Sequence, residues 1–146
     1  KSKFCHDHGA KQTNLENLIK ESDLISLHVP LTASTEKMVD ESFLYGMKST
    51  AYLINTSRGD VVDQDALKTS LKQNMIAGAA LDVFVDEPPS DEEFLNLPSL
   101  MSTPHIGGSA REAVEAMGRS AINHLVEYFR DHPLKKKPNL KFSRLD

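Results

Sequence analysis

Short apolar runs alternate along the chain with segments whose apolar residues recur at helical spacing. The apolar runs predict strands at residues 23–29, 51–55, 76–83 and 100–103. Between them, Asp40 and Asp63 are placed to cap two helices, and each is followed by apolar residues spaced for one helical face. Strands that alternate with amphipathic helices predict an α/β fold with a parallel sheet.

Two further helices are predicted from capping-box patterns. Thr13 is followed by Glu16, and Ser109 by Glu112, at the three-residue spacing of that motif. The second pattern opens the longest predicted helix, which Pro133 ends because proline cannot continue the backbone hydrogen bonding.

These elements divide the chain into three predicted parts. We expect a sheet-containing domain at residues 1–108 and a separate helix at residues 109–132. The remaining residues, 133–146, include three consecutive lysines and read as a flexible, solvated tail.

Composition narrows the functional classes. The chain has 146 residues, a formal net charge of -4 and a pI of about 5.9, so we expect no nucleic-acid partner. Its apolar runs are far shorter than the roughly 20 residues that span a bilayer, so we expect no membrane segment. The single Cys5 cannot form an internal disulfide, which predicts a cytoplasmic protein. Cys5, His6 and His8 lie in a polar segment that no further ligands complete, and we predict no metal site.

Three chemically versatile side chains follow predicted strands. Arg58, Glu87 and His105 each lie in a loop just after an apolar run. Ligands of parallel α/β sheets bind beyond the carboxyl ends of the strands, so we expect these residues along one edge of the sheet. Taken alone, each has a plainer interpretation: a solvated arginine, a surface carboxylate and a structural histidine.

Together these side chains suit a small carboxylate substrate. The guanidinium of Arg58 offers a planar fork that matches a carboxylate. The imidazole of His105 can give and take a proton near neutral pH, and Glu87 beside it would favour the imidazolium. Asp82 closes a nearly uncharged strand and needs polar partners, for which a ligand amide and backbone donors are both open alternatives.

Four segments give a more specific indication. They are E-S-D-L-I-S-L-H-V-P-L-T from residue 21, L-I-N-T-S-R-G-D-V-V-D from residue 53, A-G-A-A-L-D-V-F-V-D-E-P from residue 77 and T-P-H-I-G-G-S from residue 103. In this order they resemble the D-isomer-specific 2-hydroxyacid dehydrogenase family, which includes phosphoglycerate dehydrogenases and glyoxylate/hydroxypyruvate reductases. The resemblance implies the second half of a Rossmann-type parallel sheet with flanking helices, followed by a long C-terminal helix.

The resemblance also implies roles for individual residues. Arg58 would bind the substrate carboxylate and carbonyl, His105 would be the acid/base, and Glu87 would pair with it. The cofactor would be NAD, with NADP not excluded, and the substrate a small 2-hydroxy or 2-keto acid. The implied cofactor-binding residues are Val29, Pro30, Thr56, Ser57, Arg58, Asp82, His105, Gly107 and Gly108.

One departure from the family pattern is large. The family's dinucleotide fingerprint is G-x-G-x-x-G, and this chain contains no G-x-G. We therefore expect the chain to represent a C-terminal portion that binds NAD poorly by itself and is inactive alone. The strand at residues 23–29 would be an open edge, which we expect a homodimer partner or a complementary chain to cover. A non-catalytic NAD-sensing protein of the C-terminal-binding corepressor type is the alternative function.

Overall fold

The computed structural model describes residue 5 and residues 7–133 of the chain. A first compact unit ends at Gly107 and a second begins at Gly108. His6 of the predicted polar segment lies outside the described residues, as do residues 134–146 of the predicted tail.

The first unit is a parallel sheet with short helices between its strands. The strands are β1 (Leu24–Leu27), β2 (Tyr52–Asn55), β3 (Gly78–Leu81) and β4 (Leu100–Ser102), in the order β1-β2-β3-β4. The helices are α1 (Leu15–Glu21), α2 (Glu41–Gly46), α3 (Gln64–Lys72) and α4 (Glu92–Leu95), with a 3-10 turn at Gly59–Val61. The second unit contains α5 (Arg111–Asp131). The predicted α/β class, parallel sheet and long C-terminal helix are confirmed.

Sequence and structure differ at the ends of some elements. The strand predicted at residues 76–83 forms ladder pairs only over Gly78–Leu81, because the chain then turns into the loop that begins at Asp82. The short helix α4 was not predicted. Asp91 caps it by accepting a hydrogen bond from the backbone N–H of Phe94 at 3.0 Å, and the Phe94 ring is fully buried.

The predicted caps of the two central helices are confirmed. Asp40 accepts from the backbone N–H of Phe43 at 2.8 Å at the start of α2. Asp63 accepts from the backbone N–H of Ala66 at 3.2 Å at the start of α3. Each carboxylate satisfies an N–H group that has no partner within its helix.

Both predicted capping boxes are wrong. Asn14, not Thr13, caps α1 by accepting from the backbone N–H of Asn17 at 2.8 Å. Helix α5 begins one residue later than Ser109 predicts, after Ala110, which makes no side-chain cap. In both cases a shift of one residue changes which backbone N–H groups need a partner, so the motif residue cannot reach them.

The hydrophobic core covers one face of the sheet. Ile25 and Leu27 of β1 and Leu53 of β2 are buried there with Leu44 of α2 and Leu67 of α3. Side chains alternate across a strand, so the neighbouring positions point to the opposite face. On that face Leu24, Tyr52 and Met101 remain 54%, 52% and 70% exposed. The sheet of the first unit is therefore buried on one side and open on the other.

Strand β1 is the outer strand at one side of the sheet, as predicted. Its register with β2 pairs Leu24 with Tyr52 and Leu27 with Asn55, and the sheet order places no described strand on its other side. None of the described helices is both long enough and apolar enough to cross a membrane.

Candidate functional site

The carboxyl ends of three strands lie level with one another. Asn55, the last residue of β2, pairs with Leu81 of β3, which pairs with Ser102 of β4. Because all strands run in the same direction, the loops that follow them leave the sheet at the same edge. These loops carry Arg58, Glu87 and His105, in agreement with the expectation for this edge.

The structure brings Glu87 and His105 into direct contact. Nδ1 of His105 lies 2.7 Å from Oε2 of Glu87, and both side chains are partly exposed. The other carboxylate oxygen, Oε1, accepts a hydrogen bond from the backbone N–H of Phe84 at 3.0 Å. The hydrogen bond from His105, and next that from Phe84, hold the pKa of Glu87 below its ordinary value. A fixed, charged carboxylate therefore faces one nitrogen of the imidazole.

The carboxylate of Asp82 binds the loop that carries His105. Oδ1 accepts from the hydroxyl of Thr103 at 2.5 Å and from the backbone N–H of Ile106 at 2.9 Å, and Oδ2 accepts from the N–H of Gly107 at 2.8 Å. The Thr103 bond first, and then the two N–H groups, lower the pKa of Asp82 although burial opposes them. Of the two alternatives open from sequence, the structure therefore supplies loop donors.

Oδ2 of Asp82 retains an unused acceptor position among the described residues. A carboxylate oxygen accepts two hydrogen bonds, and within residues 7–133 Oδ2 receives only the one from Gly107. Gly107 permits this close approach, because a Cβ at that position would lie 2.9 Å from the same oxygen. The carboxylate therefore keeps one acceptor position that the donors of the loop do not use.

The predicted cofactor residues of the first two loops share one groove. Val29, Pro30, Thr56, Ser57 and Arg58 line a cavity of about 550 Å³. His28 and Leu31, which were not predicted, complete the lining. The guanidinium of Arg58 is exposed and donates from Nη1 to the carbonyl of Ser57 at 2.6 Å. The groove therefore joins the loop after β1 to the segment at residues 56–58 that carries Arg58. This segment is called the arginine loop below.

The arginine loop also touches the loop of Glu87. A Cβ on Gly59 would lie 2.0 Å from the carbonyl carbon of Phe84, so the two backbones are in contact. Phe84 in turn donates its N–H to Glu87. A small cavity of about 160 Å³ is lined by Phe84, Glu87, Pro88, Pro89, Pro104 and His105. Backbone contact thus connects Arg58 to the Glu87–His105 pair.

Not every site residue was predicted, and not every predicted residue lies in this unit. Asn55 binds the arginine loop through the carbonyl of Arg58. Thr103 binds Asp82 from the segment at residues 103–107 that carries His105, called the histidine loop below. Neither Asn55 nor Thr103 was predicted as a site residue. The N-x-S sequence at Asn55 carries a local signal, because an asparagine often bonds the backbone two residues later.

Gly108 is the first residue of the second unit. Among the described residues, no group of three His, Cys, Asp or Glu side chains is placed to hold a metal ion.

Comparison with known proteins identifies the family of the chain. Residues 1–107 match the family described as "D-isomer specific 2-hydroxyacid dehydrogenase, NAD binding domain". The chain is 49% identical over 120 residues to the glyoxylate reductase of Thermococcus litoralis. That alignment covers 82% of this chain but 36% of the relative, so the chain spans about a third of the length of the relatives it matches.

Two solved structures are similar in fold and sequence. D-lactate dehydrogenase from Aquifex aeolicus, complexed with NAD and lactic acid, has a TM-score of 0.77 and 33% identity, covering 90% of this chain and 44% of that one. An acyclic imino acid reductase in complex with NADPH and D-Arg has a TM-score of 0.79 and 37% identity, covering 86% of this chain and 40% of that one.

Proposed function

Because the chain belongs to the D-isomer specific 2-hydroxyacid dehydrogenase family, we propose that it provides one side of a site for hydride transfer. The reaction would connect a nicotinamide cofactor with a small 2-hydroxy or 2-keto acid. The observation that carries this proposal is the contact between Glu87 and His105 at the sheet edge that also bears Arg58. A carboxylate-supported imidazole and a guanidinium are the groups that reduction of a keto acid needs.

Each of the three residues has a distinct part in this proposal. Arg58 binds the carboxylate of the substrate and polarises its carbonyl. His105 gives a proton to the carbonyl oxygen during reduction and takes it back during oxidation. Since Nδ1 is bonded to Glu87, Nε2 is the nitrogen that exchanges this proton. Glu87, whose lowered pKa keeps it charged, stabilises the imidazolium and orients the ring.

The residues present fit the nicotinamide side of NAD. When bound, NAD supplies or accepts the hydride. In the groove, Thr56 to Arg58 are the proposed nicotinamide-holding residues, and Val29 and Pro30 are proposed to flank the adenosine end. Asp82 Oδ2, with its remaining acceptor position, is the proposed acceptor for the N–H of the carboxamide. NADP is an alternative cofactor, since NADPH is bound in the related imino acid reductase.

The activity is tested in a chimera with a relative, because this chain matches only part of that protein's length. In the Thermococcus litoralis glyoxylate reductase, the matched residues are replaced by those of this chain. We expect oxidation of NADH with glyoxylate, hydroxypyruvate or phosphohydroxypyruvate. Glyoxylate is the first choice because the relative is a glyoxylate reductase. No turnover with any of the three acids would contradict the proposal.

Substitutions identify which residues carry the reaction. Arg58→Ala and His105→Ala should each lower kcat/KM by about 100-fold or more. Lys20→Ala is the control, because this exposed cation lies on α1 and pairs with Glu16 of the same helix, and it should leave the rate unchanged. Tight NADH binding without any turnover in the unsubstituted chimera would favour a non-catalytic NAD-sensing protein.

By itself the 146-residue chain should bind NAD weakly. The chain contains no G-x-G segment, and such segments place backbone N–H groups against the pyrophosphate. Calorimetric titration of the chain with NAD should therefore give little heat. A dissociation constant in the micromolar range would contradict this part of the proposal.

We also propose that another chain covers the open side of the sheet. Strand β1 has a free outer edge among the described residues, and Leu24, Tyr52 and Met101 are more than half exposed on the adjoining face. A parallel sheet is ordinarily covered on both faces. The occupant is a second copy of this chain or a complementary chain.

A further inference from the structure

Two buried polar side chains lie next to each other at the carboxyl edge of the sheet. Asn55 ends β2 and is 1% exposed, and Asp82 follows β3 and is 8% exposed. They are joined through the backbone, since the N–H of Asp82 donates to the carbonyl of Asn55 at 3.0 Å. A buried polar group destabilises the fold unless it is hydrogen-bonded, so the partners of these two side chains show what they do.

Among the described residues, the hydrogen bonds of the Asn55 side chain all go to the loop that carries Arg58. Its Oδ1 accepts from the N–H of Ser57 at 3.0 Å and from the Ser57 hydroxyl at 2.8 Å. Its Nδ2 donates to the carbonyl of Arg58 at 2.8 Å. The loop therefore needs an acceptor and a donor on the same short side chain, which an amide has and a carboxylate lacks.

Asp82 binds the histidine loop from both sides of His105. Thr103 donates from two residues before the histidine, and Ile106 and Gly107 donate from the two residues after it. Between these bonds His105 has a φ of 54°, a left-handed conformation that is uncommon outside glycine. Such a conformation persists where the surroundings determine it. Here three donors converge on a carboxylate, which has acceptors only.

We propose that Asn55 and Asp82 are a pair of positioning residues, Asn55 for Arg58 and Asp82 for His105. This proposal rests on the proposed function of those two residues. The two residues stand at the ends of neighbouring strands. The sheet therefore fixes the position of the loop that carries Arg58 relative to the loop that carries His105. The two residue types are not interchangeable, because one loop needs a donor as well as acceptors and the other needs acceptors alone.

The first experiment separates the two positioning roles in the chimera described above. Asn55→Asp keeps the size of the side chain but removes the donor to the Arg58 carbonyl. It should raise KM for glyoxylate about tenfold or more while kcat changes less. Asp82→Asn places an N–H group against one of the loop donors. It should lower kcat about tenfold or more.

A matched control distinguishes positioning from simple burial of a polar group. Ser70 of α3 is a third buried polar residue, also 1% exposed, and takes no part in the site. Ser70→Ala should leave both KM and kcat within about twofold. If all three variants alter KM and kcat in the same proportion, the positioning roles are refuted.

The second experiment does not depend on activity. In the 146-residue chain, amide hydrogen exchange of Ile106 and Gly107 is compared between the unsubstituted protein and Asp82→Asn. We expect exchange of these amides to speed up about tenfold or more, while Ala79, whose N–H donates to Ser99 within the sheet, is unchanged. Equal exchange at Ile106 and Gly107 would overturn the role of Asp82. If the chimera is inactive with Asn55 and Asp82 in place, the proposed function fails, but the exchange result still decides whether Asp82 holds the loop.

Discussion

His105 and Glu87 lie eighteen positions apart in sequence, yet Nδ1 of the histidine is 2.7 Å from Oε2 of the glutamate. The second glutamate oxygen is fixed by the backbone N–H of Phe84. The ring therefore has one nitrogen held by a carboxylate of lowered pKa and the other available for proton exchange. This contact makes the site sensitive to the charge at position 87.

Glu87→Gln should change the pH profile of the chimera. The neutral amide cannot balance the imidazolium of His105 as the charged carboxylate of lowered pKa does, so kcat of keto-acid reduction should fall about tenfold or more. The measurement is the initial rate against pH. Asp86→Asn, one residue earlier and exposed, is the matched control and should leave the profile in place. An unchanged profile in Glu87→Gln would show that the contact has no part in proton transfer.

Acid should destabilise the chain partly through Asp82. Its pKa lies below the ordinary value of 3.8 when folded, because Thr103 and the N–H groups of Ile106 and Gly107 donate to the carboxylate. Such a group adds stability that is present above its unfolded pKa and is lost as the pH falls through the folded pKa. Urea unfolding should therefore show a smaller loss of stability below pH 3.8 for Asp82→Asn than for the unsubstituted chain. Ser70→Ala should keep the original pH dependence.

Two glycines should respond to alanine in opposite directions. At Gly59 the new Cβ would lie 2.0 Å from the Phe84 carbonyl carbon, so the two loops must separate, at a cost of about 1–3 kcal/mol. At Gly118, inside α5, a new Cβ meets nothing within 4 Å, and alanine should favour the helix by about 0.5–1 kcal/mol. Urea unfolding followed by circular dichroism measures both. Equal stability of Gly59→Ala and the unsubstituted chain would argue against the backbone contact.

The start of α1 can be checked residue by residue. Asn14→Ala should speed hydrogen exchange of the Asn17 amide, because its cap acceptor is lost. Thr13→Ala should leave that amide unchanged, since the threonine is not the cap in the structure. The opposite result would restore the capping box predicted from the sequence.

We expect the purified chain to self-associate, because one edge and one face of its sheet are open. Light scattering should show an assembly larger than one chain, because β1 offers unpaired backbone groups and Leu24 and Tyr52 offer apolar surface. Adding a chain that carries the remaining part of the domain should convert this assembly into a complex of the two. A stable monomer whose β1 amides exchange freely would contradict the proposed covering.

Local sequence signals explain why much of the fold was predictable. Asp40 and Asp63 cap their helices through backbone N–H groups three residues away, so a short segment contains both partners. The capping-box predictions at Thr13 and Ser109 were wrong because each helix begins one residue later than its motif requires. The side chain of the motif residue then cannot reach the N–H groups that need a partner. Helix α4 was missed because Phe94, which anchors it, is buried by the rest of the fold.

The sequence by itself determined the alternation of strands and helices and the loops that carry Arg58, Glu87 and His105, since periodicity and capping depend on neighbours along the chain. Its four segments also indicated the family. The resemblance to that family implied the pairing of Glu87 with His105, and the tertiary structure supplied its geometry. The tertiary structure alone decided that Asp82 binds Thr103, Ile106 and Gly107. Those contacts join positions 18 to 25 residues apart. They form only when parallel strands bring their carboxyl ends to one edge, a constraint that no local pattern contains.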